Sequence, residues 1–143
     1  MTFTMQKMVR FHHCDPAGIV FYPQFFYLLH EVQEDFLAHI GFPEHELIKR
    51  GIGVPIVDLK TEFLGMCRNG DQLLLSLILT KIGNSSLGMQ YEIRATGVAP
   101  GEHPPLRLRA SSVFVYSQVP GGKAMRIPDD LRTALTPYLE TSE

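Results

Sequence analysis

The chain has 143 residues, of which 45% are hydrophobic and 20% charged, with a formal net charge of -2. That size fits one domain, 1–143, able to bury a core without help from disulfides or a metal. The charge balance argues against a nucleic-acid partner, and no apolar run approaches the roughly 20 residues of a membrane span.

Two cysteines, Cys14 and Cys67, stand far apart with no C-x-x-C arrangement, which reads as a reducing compartment. The N-terminal stretch carries Lys7 and Arg10 without a long apolar segment behind them, unlike a signal peptide. A cytoplasmic location is the expectation.

Residues 2–11 largely alternate, with Phe3, Met5, Val9 and Phe11 on one face and Thr4, Gln6 and Arg10 on the other. This predicts a half-buried first strand, interrupted in pattern at Lys7 and Met8. Asp15-Pro16 and Gly18 then mark a turn. From Tyr22 to Ile40, the residues Phe25, Leu29, Val32, Phe36 and Ile40 recur at steps of three and four, which predicts a long helix with one apolar face. Pro23 suits its first turn, and Gly41 with Pro43 stops it. A short helix over Glu44 to Arg50 follows, ended by Gly51.

The remainder reads as strands over Val54–Leu64, Leu73–Lys81, Leu87–Thr96 and Leu106–Ser117. Turns at Asn69-Gly70-Asp71, Gly83-Asn84-Ser85, Pro100-Gly101 with Pro104-Pro105, and Gly121-Gly122 separate or follow them. A last amphipathic helix is expected over Asp129–Leu139. Short connections favour antiparallel neighbours, so the expected architecture is α+β, with one long helix against an antiparallel sheet.

Chemistry concentrates in His12-His13-Cys14-Asp15-Pro16-Ala17-Gly18-Ile19-Val20-Phe21-Tyr22-Pro23. A carboxylate sits on a turn just before the positive end of the helix. By local chemistry alone, Asp15 reads more readily as a turn-capping residue, since such turns are frequent and catalytic carboxylates are not. A carbonyl placed there would find backbone N–H groups near the helix start. Pro23 has none, leaving Val20, Phe21, Tyr22 or Gln24.

The run Cys14-Asp15-Pro16-Ala17-Gly18-Ile19-Val20-Phe21-Tyr22-Pro23 resembles the hallmark of the 4-hydroxybenzoyl-CoA thioesterase family of the hotdog fold. Gly51-Ile52-Gly53-Val54-Pro55-Ile56-Val57 leading into Phe63, and Arg126-Ile127-Pro128, are supporting stretches. The resemblance implies a sheet wrapped around the long helix, and hydrolysis of an acyl-CoA with an aromatic or short to medium acyl group. It implies Asp15 as catalytic nucleophile or general base and the Tyr22 backbone N–H as the donor to the carbonyl. It also implies active sites at the interface of a homodimer or homotetramer.

Gly18, Val20, Phe21 and His30 are the candidate substrate contacts, and Lys81, Lys123 and Arg126 the candidate coenzyme A phosphate contacts. Some relatives carry a basic cluster where this chain has Lys81-Ile82-Gly83-Asn84-Ser85-Ser86. No metal and no separate cofactor is expected, since coenzyme A is part of the substrate and adjacent residues at 12–15 make a poor tetrahedral set. One of His12 and His13 is expected to support Asp15 or line the dimer interface. Cys14 lacks a paired base, and Glu31 or Glu34 would be the substitute carboxylate. An acyl carrier protein is a second possible acyl donor. A dehydratase or hydratase of the same fold, and a non-catalytic acyl-CoA-binding module, are the competing functions.

Overall fold

The computed structural model describes residues 1–97 and 104–140. Five strands form one antiparallel sheet in the order β1-β4-β5-β6-β3. They are β1 (Phe3–Met8), β3 (Ile56–Phe63), β4 (Gln72–Ile82), β5 (Ser86–Ala95) and β6 (Leu106–Val115). Two short strands, β2 (Ile52–Gly53) and β7 (Ser117–Gln118), pair with each other. The helices are α1 (Pro23–His39), α2 (Glu44–Lys49) and α3 (Asp129–Leu135).

The long helix is where its periodicity places it. Phe25, Leu28, Leu29, Val32, Phe36 and Leu37 are buried on one side of α1, each contributing about 1.5–3 kcal/mol of burial. Gly41 takes φ +94 and lets the chain leave the helix, a conformation that other residues adopt at a cost. The sheet meets α1 with the alternating face of its central strands: Leu73, Leu75, Leu77 and Leu79 from β4, and Leu87, Met89, Tyr91 and Ile93 from β5. From the first strand Phe3 reaches Phe36, ring centroids 5.6 Å apart, and Phe36 in turn meets Tyr138 at 4.9 Å. This is the expected α+β arrangement.

Three details differ from the sequence reading. The first strand ends at Met8, and a 3-10 turn at Phe11–His13 throws Phe11 outward, 84% exposed, rather than onto the buried face. The last helix stops at Leu135 and continues as a 3-10 turn over Thr136–Tyr138, as Pro137 requires. The third difference is topological. β3 pairs with β6, not with its sequence neighbour β4, so it forms one edge of the sheet. That edge exposes the apolar Ile56, Val57, Leu59 and Phe63 together with the charged Asp58, Lys60 and Glu62. The turn expected at Pro100-Gly101 lies outside the described residues. No helix among the described residues is long and apolar enough to cross a membrane.

Candidate active site

Residues 14–20 form a tight hairpin tied into the fold from both sides. Cys14 bridges Val20, the Asp15 N–H donates to the Ile19 carbonyl at 2.9 Å, and the Gly18 N–H donates to the Asp15 carbonyl at 2.9 Å. The far arm is stitched to the segment before β4: Val20 N–H to the Cys67 carbonyl at 2.8 Å, and Asn69 N–H to the Gly18 carbonyl at 3.2 Å. Gly18 has φ +81, and the space beside it is open. The positive φ is a conformation that favours glycine at this position of the turn.

Within this hairpin Asp15 is half-buried. Its Oδ1 accepts the Ala17 N–H at 2.8 Å, while Oδ2 accepts no hydrogen bond from any described residue. One oxygen thus holds the carboxylate in place and the other is available. The imidazole of His13 does not reach it. His13 is buried, its Nδ1 accepts the Arg10 N–H at 2.8 Å, and its ring lies 4.1 Å from that of exposed His12. Burial first, then the neighbouring His12, lowers its pKa. The histidine pair closes the 3-10 turn and neither ring bonds Asp15, so of the two expected roles, support of Asp15 or a place at a dimer interface, the first is not seen among the described residues. Cys14 places its Sγ 3.6 Å from the Arg10 carbonyl, with no base beside it.

The helix start sorts the four candidate donors. Val20 donates to Cys67, Phe21 donates to the His13 carbonyl at 3.0 Å, and Gln24 donates to the Phe21 carbonyl at 2.8 Å. The Tyr22 N–H finds no acceptor among the described residues, and Pro23 has no N–H to offer. Tyr22 is exposed, so its N–H, like others at a helix start, is open to solvent or to a ligand. Here it stands two residues after the bridge that closes the Asp15 hairpin. Val20 itself is buried in the core with its N–H committed. Phe21 and Tyr22 remain exposed, and Phe63 from the end of β3 lies 6.3 Å from Tyr22 and 5.9 Å from Phe25, ring to ring.

A cavity of about 600 Å³ opens between α1, β3 and the segment 117–122, with Phe26, Leu29, His30 and Gln33 along its helix side. It does not include Asp15. His30 is exposed at its rim, 3.6 Å from Glu34 and 3.7 Å from Glu44. Donor atoms of these three residues lie within 4.8 Å of one another, a grouping the sequence reading did not find. Glu31 pairs with Lys7 at 2.7 Å, on a different side of α1. Deeper in, the Tyr91 hydroxyl and Ser112 Oγ are 3.0 Å apart, and burial pushes the Tyr91 pKa up to about 12. Gln33 also escaped the sequence reading. The available signal was its spacing, four residues from Leu29 and three from Phe36, which puts an amide on the apolar stripe.

Burial, opposed by His30 and assisted by Glu34, raises the pKa of Glu44. A carboxyl raised in the folded state contributes stability that is whole below its unfolded pKa and lost as pH rises through the folded one. Glu44→Gln is therefore expected to melt about 1–3 °C higher than the parent at neutral pH and to lose that advantage near pH 4. Thermal melts at the two pH values check this, and an equal difference at both contradicts it.

The candidate phosphate contacts lie elsewhere. Met8 is opposite Gln72, so the Asp15 hairpin is at the start of β4, while Lys81 is at its end, about 30 Å away. Arg126 pairs with Asp129 at 2.9 Å, and its neighbour Ile127 bonds to Asn84 in the turn after β4. Lys123 is exposed in the loop that bonds back to Gln118. One subunit does not bring these cations to its own Asp15.

With this geometry in hand, the relatives are informative. The family model described as the Thioesterase-like superfamily matches residues 9–135. This chain belongs to that superfamily. It is 28% identical over 134 residues to 4-hydroxybenzoyl-CoA thioesterase of Pseudomonas sp. strain CBS-3, covering 90% of this chain and 94% of the relative. It is also 28% identical over 135 residues to 1,4-dihydroxy-2-naphthoyl-CoA hydrolase of Synechocystis sp., covering 94% of each. A crystal structure of a 1,4-dihydroxy-2-naphthoyl-CoA thioesterase from Synechocystis superposes with a TM-score of 0.84 at 28% identity, over 95% of this chain and 96% of that one. The fold of this superfamily member is the hotdog fold.

Proposed function

We propose that this thioesterase-like protein hydrolyses an acyl-CoA thioester to a free acid and coenzyme A. The observation that carries the reading is the pairing of a carboxylate with one free oxygen, Asp15, and the single unclaimed donor of the helix start, the Tyr22 N–H. The thioester oxygen would accept that N–H, which stabilises the negative charge as the carbonyl carbon becomes tetrahedral. Asp15 Oδ2 either attacks that carbon, giving an acyl-aspartyl anhydride that water then opens, or takes a proton from the attacking water. In both routes the C–S bond breaks and coenzyme A leaves as thiolate; water supplies the hydroxyl of the free acid, and its other proton balances the one the thiolate takes up. The test is thiol release over a panel of aromatic and aliphatic acyl-CoAs. Release abolished by Asp15→Asn is the expected result. No release from any member of the panel would overturn the reading in favour of a binding module.

The active protein is proposed to be a dimer joined at β3, in a reducing cytoplasm where both cysteines stay free. The exposed apolar side chains Val57, Leu59 and Phe63 on an open sheet edge support this, because such an edge recruits another strand. An antiparallel pair of β3 strands would set the Phe63 end of one subunit against the Ile56 end of its partner. The Phe63 end adjoins Tyr22, whereas the Ile56 end adjoins Phe114 and the segment leading to Lys123 and Arg126. Each Asp15 would thus face the partner's cations, resolving their separation within one subunit. Val57→Lys is expected to give a monomer by light scattering, with most thiol release lost. A wild-type monomer of full activity would refute the shared site.

A further inference from the structure

A second pocket, of about 370 Å³, lies between the end of β1, the 3-10 turn at Phe11–His13 and Glu31 of α1. It is on a different side of the helix from the large cavity. Gln6, Lys7, Arg10, His12 and His13 line it together with Glu31. Neither Asp15 nor Tyr22 is in its wall, so hydrolysis at the hairpin does not use it. Two permanent cations stand here against one carboxylate, before either histidine takes a proton.

The donors of this pocket outnumber its acceptors. His13 is 8% exposed, and its Nδ1 accepts the Arg10 N–H at 2.8 Å. A neutral imidazole that accepts through Nδ1 carries its proton on Nε2. That Nε2–H has no acceptor among the described residues, and the atom is not sealed from solvent. A donor on a side chain more than nine-tenths buried is thus left with nothing to bond in the wall of a pocket. Lys7 has three N–H groups to give and spends one on Glu31 Oε2 at 2.7 Å. The Arg10 guanidinium is exposed and makes no hydrogen bond or ion pair among the described residues. Burial first, then His12, lowers the His13 pKa, with Glu31 opposing and Lys7 and Arg10 adding to the fall. The cations are therefore close enough to repel a proton from that ring.

An anion with several oxygens answers such a set. A carboxylate brings two oxygens in one plane, whereas a phosphate monoester brings three acceptor oxygens and nearly two charges. The donors come from β1, from the loop after it and from the 3-10 turn, which suits three oxygens better than two. An arginine fork takes two phosphate oxygens at once and leaves the third for Lys7 and His13. The volume falls at the small end of the roughly 300–1,000 Å³ of small-molecule sites. That leaves room for an organic group beside Met8 and the His12 ring.

We propose that this pocket is a binding site for a phosphate monoester, held by Arg10, Lys7 and the Nε2–H of His13. The site goes beyond thioester hydrolysis and stands without it. Two sources carry the group: a separate small molecule, or the 3′-phosphate of coenzyme A itself. The chemistry that recognises them is the same.

Binding of phenyl phosphate to the whole protein is measured by calorimetry, and long-range proton–nitrogen spectra follow the His13 ring. Wild type is expected to bind with a Kd below about 1 mM, with the His13 Nε2 resonance moving on saturation. Arg10→Gln, at an exposed position, is expected to weaken binding at least about tenfold. Glu31→Gln is expected to tighten it about fivefold, since it removes the opposing charge and keeps an oxygen for Lys7. Damage to the fold cannot produce that gain. Phenyl phosphate is then titrated into protein saturated with a non-hydrolysable acyl-coenzyme A thioether. Unchanged affinity assigns the pocket to a separate molecule. Loss of binding that is restored when the dephospho-coenzyme A thioether is used instead assigns it to the coenzyme's own monoester, and either result upholds the site. Affinity weaker than about 1 mM, an Nε2 resonance that stays in place, indifference to both substitutions, or loss of binding with both thioethers would overturn it.

Discussion

Asp15→Asn is expected to lower kcat for every hydrolysed acyl-CoA by about 10²–10⁴-fold, with little change in melting temperature. The substitution is chosen for what it keeps. Asp15 Oδ1 accepts the Ala17 N–H at 2.8 Å, and an asparagine carbonyl oxygen accepts it equally well, so the turn survives. What disappears is the negative charge at Oδ2 and, with it, the nucleophile or proton acceptor. Asp15→Ala would confound the two by cutting the turn bond as well. Affinity for a non-hydrolysable analogue should survive in Asp15→Asn. Turnover within a few-fold of wild type would place the chemistry on another residue.

The second large effect belongs to a backbone atom. Tyr22→Pro deletes one N–H, and the geometry permits it, since Tyr22 has φ -52 and its N–H has no acceptor among the described residues. Proline favours φ near that value and is accepted at the start of a helix. The variant therefore forfeits no existing hydrogen bond. Loss of one donor to a developing oxyanion costs about 10²–10³-fold in kcat. The control is Tyr22→Ala, which keeps the N–H but removes the ring that packs near Phe21 and Phe63. Its effect reports the ring alone. If the two variants turn over at equal rates, the Tyr22 amide takes no part in the reaction.

Both experiments probe features that differ in how far they could be read from residues. Asp15 was legible because Asp-Pro and a following glycine announce a turn, and the run they sit in resembles a known family. The identity of the free donor was not legible. Four backbone amides were candidates, and three are claimed by carbonyls at Cys67, His13 and Phe21. Two of those partners are set by how the hairpin folds onto neighbouring chain, which no local pattern encodes. The same holds for His13. Its place beside Asp15 in sequence suggested support for the carboxylate, yet its ring turns back to cap Arg10.

By itself, then, the sequence determined the elements whose cause is local: α1 with its apolar stripe, the left-handed stop at Gly41, the turn that carries Asp15, and the alternating central strands. These follow from repeats of 3.6 and 2 residues and from the backbone freedom of glycine, which need no distant partner. Tertiary structure alone decided that β3 pairs with β6 and lies at an open edge, that the candidate coenzyme A cations lie far from their own Asp15, and that Gln33 is sealed into a cavity wall without a bond. Each of these depends on which remote groups arrive to cover or to satisfy a residue. Short-range patterning constrains a residue's face, whereas its neighbours across the sheet are set only when the whole chain closes around the helix.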